Sequence, residues 1–325
     1  MTTLDDVLRR PRRNLFALLL MAGLLAGSAA GGTAGTRAGA RIPPGMTAAE
    51  ADTLPRYYAK DRAETEEWLK SSPTSYLATI LRRDFGGRAS LTVGGAPDND
   101  VRIDDPGVKP EHLRVTVVGD SFRVETLDPG ARFKVKDVEM TAATLPPTGI
   151  KVGRFSLRLS HQRFPAIIVF DPQSPRYKLY KGMRFFPADL SYHIVAALTP
   201  NPNPDTTIIL STRGNQRRAV RVGWFDFKVN GTSCRLEATR LLEPGVGEKE
   251  FGLFFTDATT GKESYRVGRY LDAEPRPNGL YVLDFNRCYN PACAYSDDYN
   301  CPIPPRANRL TVAIRAGEMD AHYMH

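Results

Sequence analysis

The sequence lacks the signatures that position the commonest catalytic chemistries. No Gly-x-Ser-x-Gly elbow, His-Glu-x-x-His helix, P-loop or dinucleotide fingerprint occurs in its 325 residues, which sets aside the reaction classes those motifs serve. Histidine is scarce, with five in all, and only His112, His161 and His193 lie in the body of the chain. A cysteine nucleophile therefore has few bases to draw on. Cysteine is scarcer still, with four. The spacings among Cys288, Cys293 and Cys301 depart from the short paired spacing of structural zinc sites. His322 and His325 could add ligands but fall in the terminal tail, residues 319–325. No metal and no cofactor is expected.

Long apolar runs are also missing. The longest, Leu15 to Leu25, is short against the roughly 20 residues a spanning helix needs. It follows Arg9, Arg10, Arg12 and Arg13 and precedes Gly27-Ser-Ala-Ala-Gly. That is the layout of a secretory signal peptide over residues 1–30, with cleavage near Ala29 or Ala30. An uncleaved anchor is the alternative, and Arg12-Arg13 also fits a twin-arginine leader. No cysteine follows the run, so a lipoprotein anchor is not expected. The expectation is an exported protein, periplasmic or extracellular, without stable membrane insertion after cleavage.

Charge of one sign does not gather. Lysine and arginine outnumber aspartate and glutamate by 44 to 36, but they are spread along the chain, which argues against a nucleic-acid surface. Residues 31–46, rich in Gly, Ala and Thr and containing Pro43-Pro44, read as a disordered linker.

What is present is mostly β signal after a helical preface, assigned to residues 47–85. Thr47 with Glu50 forms a capping-box pattern, and Pro55 is expected to break the helix into two pieces. From Ser90 onward, period-two or short apolar runs recur: Leu113-Arg-Val-Thr-Val, Ala166-Ile-Ile-Val-Phe, Thr207-Ile-Ile-Leu and Tyr281-Val-Leu. Asn230-Gly231 predicts a two-residue hairpin loop, and Thr260-Gly261 predicts another between Phe251-Gly-Leu-Phe-Phe and Tyr265-Arg-Val.

Residues 86–162 resemble a forkhead-associated domain, a β-sandwich that usually binds phosphothreonine. Val93-Gly94, Pro97-Asp-Asn-Asp-Val-Arg-Ile, Val108, His112 and Gly149-Ile-Lys-Val-Gly153 carry the resemblance. The ligand positions do not match, because Gly95, Lys109, Pro110, Ala131 and Arg132 stand where the family uses its arginine, serine-arginine and asparagine-glycine. Without the arginine fork a phosphate loses its strongest donors. The module is expected to be a scaffold that binds no phosphothreonine peptide, with His112 as a structural brace.

From Tyr57 to Glu318 the chain resembles a bacterial domain-of-unknown-function family, the one numbered sixteen eighty-four. Tyr180-Lys-Gly-Met-Arg-Phe-Phe-Pro187, Phe255-Thr-Asp-Ala-Thr-Thr-Gly-Lys262 and Gly268-Arg-Tyr-Leu271 contribute to the match. The terminal run Asp284-Phe-Asn-Arg-x-Tyr-Asn-Pro-x-Cys-Ala-Tyr, then Cys301-Pro-x-Pro-Pro and Asn308-Arg-Leu, is its densest part. The resemblance implies no activity. Cys234 and Cys288 lie outside the family motif, so the pairing expected from the resemblance is Cys234 with Cys288 and Cys293 with Cys301, one of the three connectivities open to four cysteines. Closing the second loop would stabilise the chain by roughly 2.5 kcal/mol on the chain-entropy model.

The fold expected is mainly β: a helical preface, a forkhead-associated-like sandwich, and a larger antiparallel β domain over residues 163–318 with an irregular C-terminal loop. Asp257, Arg269, Asp284, Asn286, Tyr289, Asn290 and Asn308 are the candidate ligand-binding residues, of a kind that suits a hydrogen-bonding pocket. The leading reading is a non-catalytic binding or structural protein of the cell envelope, its partner an unidentified polar small molecule, glycan or protein. The alternative is a hydrolase-like enzyme using Asp257 and Asp284 as acid and base.

Overall fold

A computed structural model describes residues 42–320. The expected signal peptide and most of the linker lie outside the described residues, as do His322 and His325. No helix among the described residues is long and apolar enough to cross a membrane.

The first element is α1 (Ala48–Ser71), which opens with the full capping box: Thr47 Oγ1 accepts from the Glu50 amide while Glu50 accepts from the Thr47 amide. Pro55 does not divide it, contrary to expectation. Proline there removes the amide that would reach the Ala51 carbonyl, but Leu54 and Tyr58, buried on either side of the defect, hold both parts against the protein. The expected linker also ends early. Pro43 to Met46 form a turn, with Met46 buried and the Gly45 carbonyl accepting from Arg276 at 3.0 Å.

Eleven strands build a sandwich: β1 (Thr79–Asp84), β2 (Ser90–Gly94), β3 (Val101–Arg102), β4 (Leu113–Val118), β5 (Ser121–Thr126), β6 (Phe133–Val135), β7 (Val138–Met140), β8 (Ala142–Leu145), β9 (Thr148–Val152), β10 (Phe155–His161) and β11 (Pro165–Phe170). One sheet runs β1-β11-β10-β9-β6-β7 and the other β3-β2-β4-β5-β8. Between them lie Leu91, Val115, Phe122, Phe133, Leu157 and Val169. The sandwich thus extends past the expected 86–162 on both sides. It takes β1 from the supposed helical preface and β11 from the second domain.

The reason is visible in β11. Ile167 and Val169 face the sandwich core, whereas Ile168 and Phe170 enter a different core with Tyr76, Tyr265, Tyr295 and Tyr299. A strand buried on both faces reads as an unbroken apolar run. The sheet containing β1, β11 and β10 therefore lies between the sandwich interior and the rest of the protein.

The short helix α2 (Arg176–Leu179) leads into the second β unit. Its strands are β12 (His193–Pro200), β13 (Thr206–Leu210), β14 (Gln216–Val229), β15 (Thr232–Leu241), β16 (Leu253–Phe255), β17 (Arg269–Leu271), β18 (Ala273–Pro275) and β19 (Leu280–Asp284). The main sheet runs β13-β14-β12-β19-β18, with β15 on β14. β14 and β15 form the hairpin expected at Asn230-Gly231, where both residues have positive φ, 49° and 80°. The second expected hairpin is not formed as read. β16 pairs with β17 rather than with Tyr265-Arg-Val, and Gly261 closes a small turn onto Ser264 inside a longer loop. Asp257 pulls that loop out of the ladder by accepting from the Thr259 amide and hydroxyl and the Thr260 hydroxyl.

Candidate ligand-binding cleft

The polar residues of the terminal motif do not meet in one pocket. Asp257 and Arg269 form a fully buried pair, 3.3 Å apart. The guanidinium donates to the Ala316 carbonyl at 2.6 Å and the Ile314 carbonyl at 2.8 Å, between the rings of Phe186 and Phe255. Asp257 also accepts from the Ile314 amide at 2.7 Å. The pair therefore clamps residues 314–318 and faces no solvent.

Asp284 belongs to a second cluster. It accepts from the Tyr58 hydroxyl at 2.8 Å, His193 Nδ1 at 3.2 Å and the Asn286 amide at 3.1 Å. Burial, and then the charge of Asp284, push the Tyr58 phenol well above its ordinary range, so Tyr58 holds its proton and donates. Asn286 exchanges two 2.9 Å hydrogen bonds with the backbone of Asp189. Asn308 forms a third cluster, accepting from the Glu237 amide and donating to the Glu237 and Phe254 carbonyls. Asn290 forms a fourth, donating to Glu318 and the Met319 carbonyl.

Of the seven candidates, Tyr289 lines a cleft. The other six are buried struts that satisfy backbone and side-chain groups in irregular chain. Asp257 and Asp284 sit in separate, saturated environments, so the acid-base pair of the hydrolase reading is not assembled. Among the described residues, no group of three or more His, Cys, Asp or Glu is arranged to hold a metal.

Neither expected disulfide is formed; all four thiols are free and buried. Cys234 donates to the Thr232 carbonyl at 3.6 Å and Cys288 to the Ala316 carbonyl at 3.4 Å, so each has its own partner in place of the other. Cys293 and Cys301 do lie together, with the Cys293 amide 3.3 Å from Cys301 Sγ.

The cleft that Tyr289 lines has a volume of about 230 Å³ and opens between the sandwich and the second β unit. Arg82, Ser160 and Ile168 come from the sandwich sheet; Arg217, Tyr289 and Asn300 come from the other side. Register explains the sandwich wall. Arg82 on β1 and Arg158 on β10 both pair with Ile168 on β11 and so share its face. Arg82 is ion-paired to Asp84 at 2.8 Å. Arg158 is buried against the Phe170 ring at 4.9 Å, and burial lowers its pKa.

Arg217 is only 1% exposed. It donates to Ser211 Oγ at 2.7 Å and Gln162 Oε1 at 3.3 Å, and it contacts Glu243 and the Asn300 carbonyl. Burial raises the pKa of Glu243 against the opposing pull of Arg217. Asn300 is 5% exposed, and neither its amide nitrogen nor its oxygen has a hydrogen-bond partner among the described residues. A buried amide with both ends unsatisfied costs about 1–3 kcal/mol per group unless something in the cleft meets it. Sequence reasoning gave no role to Asn300, Arg82 or Arg217. An arginine on a strand reads as a solvated face, and nothing local signals that a second unit covers it.

In the forkhead-associated-like module, His112 Nδ1 accepts from the Lys109 amide at 3.0 Å and Nε2 meets the Arg132 carbonyl at 2.8 Å. It braces the loop as expected. Lys109 is exposed, and Arg132 is spent on the Pro129 and Ala131 carbonyls of its own loop.

Residues 178–319 match the model of a family described as "Protein of unknown function (DUF1684)". An uncharacterized protein of Haloarcula marismortui, solved by NMR, is 34% identical over 46% of this chain and 82% of its own, with a TM-score of 0.37. The chain belongs to this family. The forkhead-associated domain of FhaA, in complex with the intracellular domain of another protein, is 18% identical over 27% of this chain and 96% of that one, with a TM-score of 0.20. Mycobacterium tuberculosis EmbR in complex with a low-affinity phosphopeptide is 19% identical over 29% of this chain and 24% of that one, also at 0.20. No curated protein matches the chain.

Proposed function

We propose that this is an exported, non-catalytic binding protein whose ligand sits in the cleft between the two β units, not among the buried struts of the motifs. The unsatisfied Asn300 amide carries the reading: a hydrogen-bonding ligand would supply the missing donor and acceptor. The aromatic wall that includes Tyr289 and Phe254 supports it, since such pockets combine apolar walls with a few placed polar groups. At about 230 Å³ the space suits a small polar molecule, below the roughly 300–1,000 Å³ typical of drug-sized ligands.

On this reading the terminal motif is structural support, holding Tyr289 and Asn300 on a rigid frame. The forkhead-associated-like module supplies the opposite wall and binds no phosphothreonine peptide. Export would place the thiols in an oxidising compartment, where Cys293 and Cys301 are the adjacent pair.

Thermal-shift screening against amino acids, small carboxylates and mono- and disaccharides tests the proposal. A ligand that raises the Tm of the wild type but not of Asn300→Ala, with the unliganded Tm of the variant unchanged or higher, is the expected result. A ligand whose effect survives Asn300→Ala, or a screen with no response, would refute it.

A further inference from the structure

We propose that Cys293 and Cys301 form a thiol–disulfide exchange site for small-molecule disulfides, with Cys293 the attacking thiol and Cys301 the resolving one. The site does not depend on the Asn300 cleft having a ligand.

Three observations meet here. The first is adjacency, since the Cys293 amide points at Cys301 Sγ at 3.3 Å. The second is asymmetry of access. Cys293 lines a second cleft of about 570 Å³, and Cys301 does not; Cys301 borders the interdomain cleft instead. A reagent entering the larger cleft meets Cys293 first and finds Cys301 behind it.

The third is the chemistry of that cleft. Thr212, Tyr265, Arg213 and Arg266 line it with Cys293, and the Tyr265 hydroxyl lies 3.8 Å from Cys293 Sγ. Hydrogen bonds from Cys301, and then from Tyr265 and Thr212, lower the pKa of the Cys293 thiol. Burial and then the neighbouring Cys293 raise that of Cys301. The thiolate is the nucleophile, so the partner that lines the larger cleft is the one prepared to attack. Arg213 is held by Asp84 at 3.1 Å and by the Asp297 carbonyl, while Arg266 on the same wall suits a disulfide carrying carboxylates, such as glutathione disulfide.

The Cys293 thiolate attacks one sulfur of R–S–S–R; that bond breaks, a protein–S–S–R bond forms, and R–S⁻ leaves and takes up a proton. Cys301 then gives its proton to solvent, and its sulfur attacks Cys293 Sγ. The Cys293–Cys301 bond forms and the second R–SH departs. The protein dithiol loses two electrons, and the small disulfide gains them. Cys234 and Cys288 remain spectators, each bonded to a carbonyl.

The native protein incubated with glutathione disulfide and mapped by mass spectrometry tests the site. The wild type is expected to end with an intramolecular Cys293–Cys301 bond, and Cys301→Ser to accumulate a glutathione adduct at Cys293. Cys293→Ser should modify Cys301 at least tenfold more slowly. No adduct at Cys293 in folded Cys301→Ser, or equal rates at the two positions, overturns the proposal. Should a serine variant fail to fold, the pH profile of iodoacetamide labelling of Cys293 in the wild type decides instead. A half-point below the ordinary thiol value of 9.0 supports it, and one at or above that value refutes it.

Discussion

The Arg269 guanidinium meets the Asp257 carboxylate at 3.3 Å with both side chains wholly out of solvent. Together they reach the backbone of Ile314, Ala316 and Glu318, so the Phe255–Lys262 and Gly268–Leu271 motifs act as a lock on residues 314–318. Removing one partner strands a buried charge and three backbone groups. Arg269→Met is therefore expected to cost about 3–5 kcal/mol, read as a lower midpoint in guanidinium chloride. A loss under about 1 kcal/mol would mean the clamp is dispensable.

Asp284 ties the first helix to the last strand through Tyr58. Asp284→Ala leaves the Tyr58 hydroxyl and the Asn286 amide without an acceptor, at about 1–3 kcal/mol for each unsatisfied group. Tyr58→Phe should cost less. The double variant should fall short of the sum by about 1 kcal/mol or more, since the two share one interaction. Additive losses in a urea double-mutant cycle would contradict the bond.

Gly268 has φ +106°, and a Cβ there would lie 2.5 Å from the Phe255 carbonyl oxygen. Both strain and clash fall on backbone that cannot yield cheaply. Gly268→Ala should lower stability by about 1–3 kcal/mol, while Ala at Gly261, where the same probe meets nothing within 4 Å, pays for φ alone. Equal thermal unfolding of the two variants would show the close approach to be unimportant.

Burial pushes the Cys288 thiol up to about 11 from an ordinary value of 9.0. The folded protein then keeps a proton that the unfolded chain releases, so stability is fully present below about pH 9. It declines as pH rises and has lost this contribution above about pH 11. Urea midpoints taken from pH 7 to about 11 should fall more gently for Cys288→Ala than for the wild type. Parallel curves would assign the decline to other groups.

The forkhead-associated-like loops should give no saturable binding of phosphothreonine peptides in fluorescence titration, because Gly95 and Pro110 offer no guanidinium. Micromolar binding lost on Lys109→Ala would reverse that reading.

Local chemistry was legible where the cause is local. Thr47 and Glu50 announce the start of α1, Asn230-Gly231 announces a hairpin, and His112 announces a loop brace, because each acts within a few residues. Tertiary causes were not. Pro55 stays inside α1 because Leu54 and Tyr58 are held by distant chain. β1 was hidden since Arg82 and Asp84 make its second face look solvated, when that face meets the other unit. The terminal motif read as a site because buried struts and ligand pockets use the same asparagine, aspartate and arginine side chains. Only the count of satisfied partners separates them, and Asn300 stands out by having none.

The contacts of α1 order the chain in time. Tyr58 is joined to Asp284, and Glu50 to Arg276, across 226 residues each, so α1 finds these partners only near the end of synthesis. The sandwich between them can close on its own strands meanwhile. Assembly would then finish as a clasp finishes a bracelet, with a trim at either end loosening the other.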